Sequence, residues 1–88
     1  MNNPSMRFDI NTRFIVDVKK ATKELHKIKG KTRIEILEKE HLDFAIGEML
    51  IFGRCSIHVL KQYNLMTSRE LEEFINKFSM KGVFIGIK

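Results

Sequence analysis

VKKATKELHKIKGKTR, residues Val18 to Arg33, carries two opposite chemistries at one spacing. Laid on a helix at about 100° per residue, Val18, Ala21, Leu25 and Ile28 fall within one arc, and Lys19, Lys20, Lys23, His26 and Lys27 fall on the opposite one. A helix of this kind packs its apolar side inward and presents ammonium groups to solvent. Gly30 is placed to cap its C-terminus, after which Lys31 and Arg33 extend the same basic end. Lysine also solvates ordinary surfaces and covers apolar area with its stem. What distinguishes this stretch is imbalance, because one carboxylate, Glu24, stands among seven Lys or Arg.

The whole chain repeats that imbalance. Formal net charge is +5. Residues 1–33 hold nine Lys or Arg against three acids, whereas residues 34–88 hold seven against eight, so the positive excess lies in the front third. Charge divided in this way points to a polyanionic partner. Eighty-eight residues form one domain with a modest core, which excludes a large two-domain enzyme. A single cysteine, Cys55, makes no internal disulfide, and no Cys/His set has zinc spacing. A reducing cytoplasm is the expected compartment. The longest apolar run, AIGEMLIFG, is too short to span a bilayer and contains Glu48.

Outward from the basic stretch, Met1–Ser5 is expected to be a disordered leader, with residues 6–88 forming a single α+β domain of three or four strands and packed helices. Met6, Phe8, Ile10, Phe14, Val16 and Val18 share one parity, which reads as one long or bulged strand, Asn11-Thr12 being the alternative place for a turn. Asp17 sits at the N-cap position of the basic helix. Lys31–Leu37 alternates as a short strand or else opens the next helix. Glu38–Phe52 reads as a helix burying Leu42, Ala45, Ile46, Met49 and Phe52. Phe44, Gly47 and Ile51 lie on its other side, where they form a candidate homodimer interface unless the helix is sandwiched within its own domain.

Arg54–Leu60 reads as a strand, with a helix running to Tyr63 as the alternative. Thr67-Ser68-Arg69-Glu70 is a capping box, and Leu71, Phe74, Ile75 and Phe78 form an apolar stripe behind it. Gly82 ends that helix, and Val83, Phe84, Ile85 and Ile87 read as a terminal strand covered on both faces except at Gly86.

Catalytic and metal readings are thin. Cys55 and His58 suggest a nucleophile and base without an orienting third group. Glu38, Glu40, His41 and Asp43 crowd one helix start without metal-ligand spacing. GKTR at Gly30 lacks the leading glycine of a phosphate loop. Nucleic-acid binding requires only clustered cations, here Lys19, Lys20, Lys23, Lys27, Lys29, Lys31 and Arg33, with Arg7 or Arg13 alongside on the strand. Six of the seven Phe fall on apolar stripes, so no base-stacking platform is evident and binding is expected to be led by phosphate contacts. RNA is the expected ligand, with DNA not excluded and no cofactor. The competing readings are a module that masks an acidic protein partner, and a small endoribonuclease.

Over MRFDINTRFIVDVKKATKELHKIKGK, residues Met6 to Lys31, and in its length and Lys/Ile-rich usage, the chain resembles the small early proteins of T-even-like phages. It resembles in particular the TifA-like inhibitors of the ToxN endoribonuclease of a type III toxin–antitoxin system. The resemblance implies a non-enzymatic counter-defence protein in the host cytoplasm, which binds RNA and holds a host endoribonuclease toxin in a ribonucleoprotein assembly. It carries no residue-by-residue roles.

Overall fold

A computed structural model describes residues 8–63 and 65–87. The expected leader, Met6 and Arg7 lie outside the described residues. Seven elements follow in order: β1 (Arg13–Val16), α1 (Val18–Lys27), α2 (Arg33–Phe52), β2 (Cys55–Ser56), α3 (Ile57–Tyr63), α4 (Ser68–Met80) and β3 (Phe84–Ile85). The class is α+β, with an antiparallel sheet of three strands in the order β2-β1-β3.

The central strand is shorter than the period-two pattern predicts. Thr12 N–H donates to the Asp9 carbonyl at 2.9 Å, and Asn11 N–H donates to the Asp9 carboxylate at the same distance. Asp9 therefore closes a turn over 9–12 through its own side chain, as Asx residues do. β1 begins after that turn, with Phe14 and Val16 buried and Arg13 and Ile15 exposed. Its two halves have different partners: Arg13 and Phe14 face Ser56 and Cys55, and Ile15 and Val16 face Ile85 and Phe84.

α1 starts where the sequence places it. The Asp17 carboxylate accepts from Lys20 N–H at 3.0 Å, while Asp17 N–H donates to the Val83 carbonyl at 2.8 Å and ties the helix start to the approach to β3. The helix ends earlier than expected, capped at Ile28, and Gly30 instead supplies a left-handed residue (φ 74°) in the connection to α2. Lys31–Leu37 is no strand. Glu35 N–H donates to the Thr32 hydroxyl at 3.2 Å, and the Glu35 carboxylate accepts from Lys31 and Thr32 N–H at 2.8 and 3.2 Å, which makes a capping box that opens α2 five residues before Glu38. These N–H donors hold the Glu35 carboxyl below its ordinary pKa.

Arg54–Leu60 also departs from a simple strand. After Gly53 (φ 76°) ends α2, only Cys55 and Ser56 pair with β1, and the chain turns at once into α3. α4 follows its expected boundaries, with the Thr67–Glu70 box at its start and Leu71, Phe74, Ile75 and Phe78 buried. The last strand is covered on one side only: Phe84 is buried, but Ile85 is 49% exposed.

The core is aromatic and centred on α4. Phe74 lies 5.1 Å from Phe78, 5.6 Å from Phe84 and 5.7 Å from His41, centroid to centroid, and Phe84 reaches Phe14 of β1 at 5.0 Å. α2 is anchored to α4 by the half-buried pair Glu38–Lys77 at 3.3 Å. Leu42 and Ala45 of α2 join this core, and Ile46 and Met49 pack at its margin. Phe52, expected on the buried stripe, is 64% exposed because the last turn of α2 runs past the body of the domain.

Candidate nucleic-acid interface

α1 divides as its sequence dictates. Ala21 is buried and Val18, Leu25 and Ile28 are half-buried, whereas Lys19, Lys20, Lys23, His26 and Lys27 are exposed. Lys19, Lys23 and Lys27 occupy the middle of the outward arc at about 40° intervals. Among the described residues Lys19, Lys20 and Lys23 have no carboxylate within ion-pair distance. Lys20 lies along the turn at Gly82, where a Cβ would meet its Nζ at 3.0 Å, so the α4–β3 connection supports this lysine from below.

Glu24 forms one border of the patch. Its carboxylate takes Lys27 Nζ at 3.3 Å and, from the end of α4, Lys81 Nζ at 3.5 Å. Partial burial works against the charged carboxylate, but these two ammonium groups outweigh it and hold the Glu24 carboxyl below its ordinary pKa. One acid thus gathers two lysines, and Lys81, separated from α1 by more than fifty residues, joins the basic surface. Only tertiary packing brings it there, and no local pattern marks it.

Lys29 and Lys31 are exposed in the connection after α1 and lie near enough to Glu35 to help lower its pKa. Arg33 does not stand free with them. Its guanidinium donates to both Glu70 oxygens, at 2.8 and 3.3 Å, and to the Leu65 carbonyl at 3.1 Å. This fork fixes the start of α2 to the start of α4, raises the Arg33 pKa and depresses that of Glu70. Arg33 is therefore a structural clamp, and six lysines remain of the seven-residue set. Arg13 is exposed on β1 at the far end of the strand from α1, beside Arg54.

The other candidates separate. Cys55 is 2% exposed, and burial pushes its thiol up to about 12, which removes it as a nucleophile near neutral pH. His41 is buried edge-on against Tyr63 and Phe74, where Nδ1–H donates to the Leu37 carbonyl at 2.8 Å. It is a core residue. No group of three His, Cys, Asp or Glu among the described residues is arranged to hold a metal, and none of their helices is long and apolar enough to cross a membrane.

Of the candidate dimer residues, Phe44 is engaged within the chain, stacked on Tyr63 at 4.3 Å with rings 9° apart. Ile51 is 73% exposed beside an equally exposed Leu50, and a side chain at Gly47 would meet nothing within 4 Å. The structure thus joins the lysines of α1 into one surface, assigns Arg33 to an ion pair, and leaves Gly47, Leu50 and Ile51 as a bare apolar ridge. No protein-family model, curated protein or solved structure matches this chain.

Proposed function

We propose that the protein is a non-enzymatic RNA-binding module that holds the phosphate backbone on the outward face of α1 and the connection after it. The observation that carries this reading is the row Lys19, Lys20 and Lys23, exposed side by side without carboxylate partners among the described residues. Three adjacent unpaired ammonium groups repel one another, and a polyanion relieves that repulsion by releasing its own counterions. DNA phosphates satisfy the same contacts; the choice of RNA follows the resemblance to TifA-like phage proteins. On that resemblance the protein acts by sequestration, holding RNA together with a host endoribonuclease toxin in the host cytoplasm.

Lysine acetylation read by mass spectrometry tests the assignment. RNA is expected to protect Lys19, Lys20 and Lys23 strongly and to leave the remote, exposed Lys61 unprotected. Uniform protection, or none, contradicts it.

Self-association belongs to the same proposal. It would use Gly47, Leu50 and Ile51, with Phe44 contributing only through its stack on Tyr63. Sedimentation of the free protein over a concentration series decides it, since a monomer mass persisting at ~100 μM, well above a micromolar Kd, rules the dimer out.

A further inference from the structure

The exposed ring of Phe52 changes what kind of nucleic-acid contact the molecule offers. It borders a cleft of about 270 Å³ lined by Arg13, Glu48, Arg54, Cys55, Ser56 and Val59. The backbone explains the gathering. Gly53, in a left-handed conformation, ends α2 directly after Phe52, which leaves Arg54 as the single residue before β2. Ser56 is the register partner of Arg13 and shares its face of the sheet, and Arg54, two residues before Ser56, lines the same cleft. Neither arginine has a carboxylate within ion-pair distance among the described residues; Glu48 lines the cleft without bridging to them.

We propose that Phe52, Arg13 and Arg54 form a subsite for one nucleotide of single-stranded RNA, the base stacking on Phe52 and the adjoining phosphate held by the two guanidiniums. The proposal rests on the RNA reading of α1 and adds strand selectivity to it. An accessible aromatic face beside unpaired cations is the combination that single-strand binders use, since every base has a π-face and every nucleotide a phosphate. The cleft, about 270 Å³ and open to solvent, lies near the lower end of the ~300–1,000 Å³ range of ligand pockets, a scale that suits one base. A base paired within a duplex cannot lay its face on the ring, so the subsite acts only on unpaired bases. Covering the cleft with a second copy about a two-fold axis would instead bring four guanidiniums together, an arrangement like-charge repulsion opposes.

The test uses the full chain, a fluorescent twelve-nucleotide oligouridine and a twelve-base-pair RNA duplex at matched salt. Phe52→Ala is expected to weaken single-strand binding about 10-fold, the usual effect of removing one stacking platform, and to leave duplex binding unchanged. Phe52→Trp should restore it. Arg13→Gln with Arg54→Gln should lower the log–log salt slope for the single strand by about 0.7, the share of the one phosphate that the two guanidiniums hold. Equal affinity of wild type and Phe52→Ala for the single strand overturns the subsite while leaving the reading of α1 intact. Absence of any RNA binding by the wild type overturns both. A change in sedimentation mass caused by Phe52→Ala makes the ring a contact between copies and also overturns the subsite.

Discussion

Replacing Lys19, Lys20 and Lys23 together by alanine is expected to weaken RNA binding about 100-fold at 0.15 M salt, with the circular dichroism spectrum and melting temperature of the protein unchanged. The magnitude follows from counterion release: at this salt each ammonium–phosphate pair strengthens binding about 4- to 5-fold, and the factors for separate pairs multiply. The fold is spared because all three side chains are exposed and none holds an ion pair among the described residues. Alanine also has the higher helix propensity, so α1 itself is not weakened. Lys27 is left in place deliberately, since its ammonium is shared with Glu24 and its removal would also disturb Lys81. Filter binding or fluorescence anisotropy measures the effect. A weakening of less than about 3-fold would move the interface elsewhere on the molecule.

The second large effect lies in the core. Phe74→Ala is expected to destabilise the protein by about 3–5 kcal/mol, as truncations of buried phenylalanine do. Phe74 is 2% exposed and its ring touches Phe78, Phe84 and His41, so the vacated volume is bordered by three rigid rings and collapses poorly. Domains of this size have little stability beyond the low end of the ~5–15 kcal/mol range, and each kcal/mol moves the melting temperature by about 4–8 °C. Thermal unfolding followed by helical circular dichroism should therefore show a fall of about 15 °C or more. RNA binding should fall with it, because Lys81 and Val83 hold α1 from the end of α4 and the approach to β3. A shift below about 4 °C would mean that α4 does not dock on this core.

The sequence was most readable where one local rule acted alone. α1 has a single apolar arc and the N-cap Asp17, and its inward and outward residues are those the spacing assigns; only its C-terminal end, read at Gly30, falls at Ile28 instead. The same holds for α4, whose Thr67–Glu70 box and four-residue stripe need no tertiary help. Thr32–Glu35 is the same box, yet the alternation of Ile34 and Ile36 there favours a strand. Both isoleucines prove to be exposed, so the alternation marks no dry face, and the capping residues decide.

Tertiary packing settled what local rules could not. Arg33 and Glu70 are 37 residues apart, and nothing near either one announces the pair. Phe52 lies on the correct helical arc for burial, but the helix outruns the core it would be buried in. Packing also chose between the two placements left open for Phe44, which stacks on Tyr63 of its own chain, and it left Phe52, expected to be buried, open beside two arginines.

The central claim is that unpaired lysines of one helix meet phosphates, and the salt dependence of affinity measures it most directly. A plot of log affinity against log salt should be about 2 shallower for the Lys19, Lys20 and Lys23 triple variant than for the wild type, because three single-strand phosphate contacts each contribute about 0.7 to the slope. Equal slopes for the two proteins would show that these ammonium groups never touch the nucleic acid.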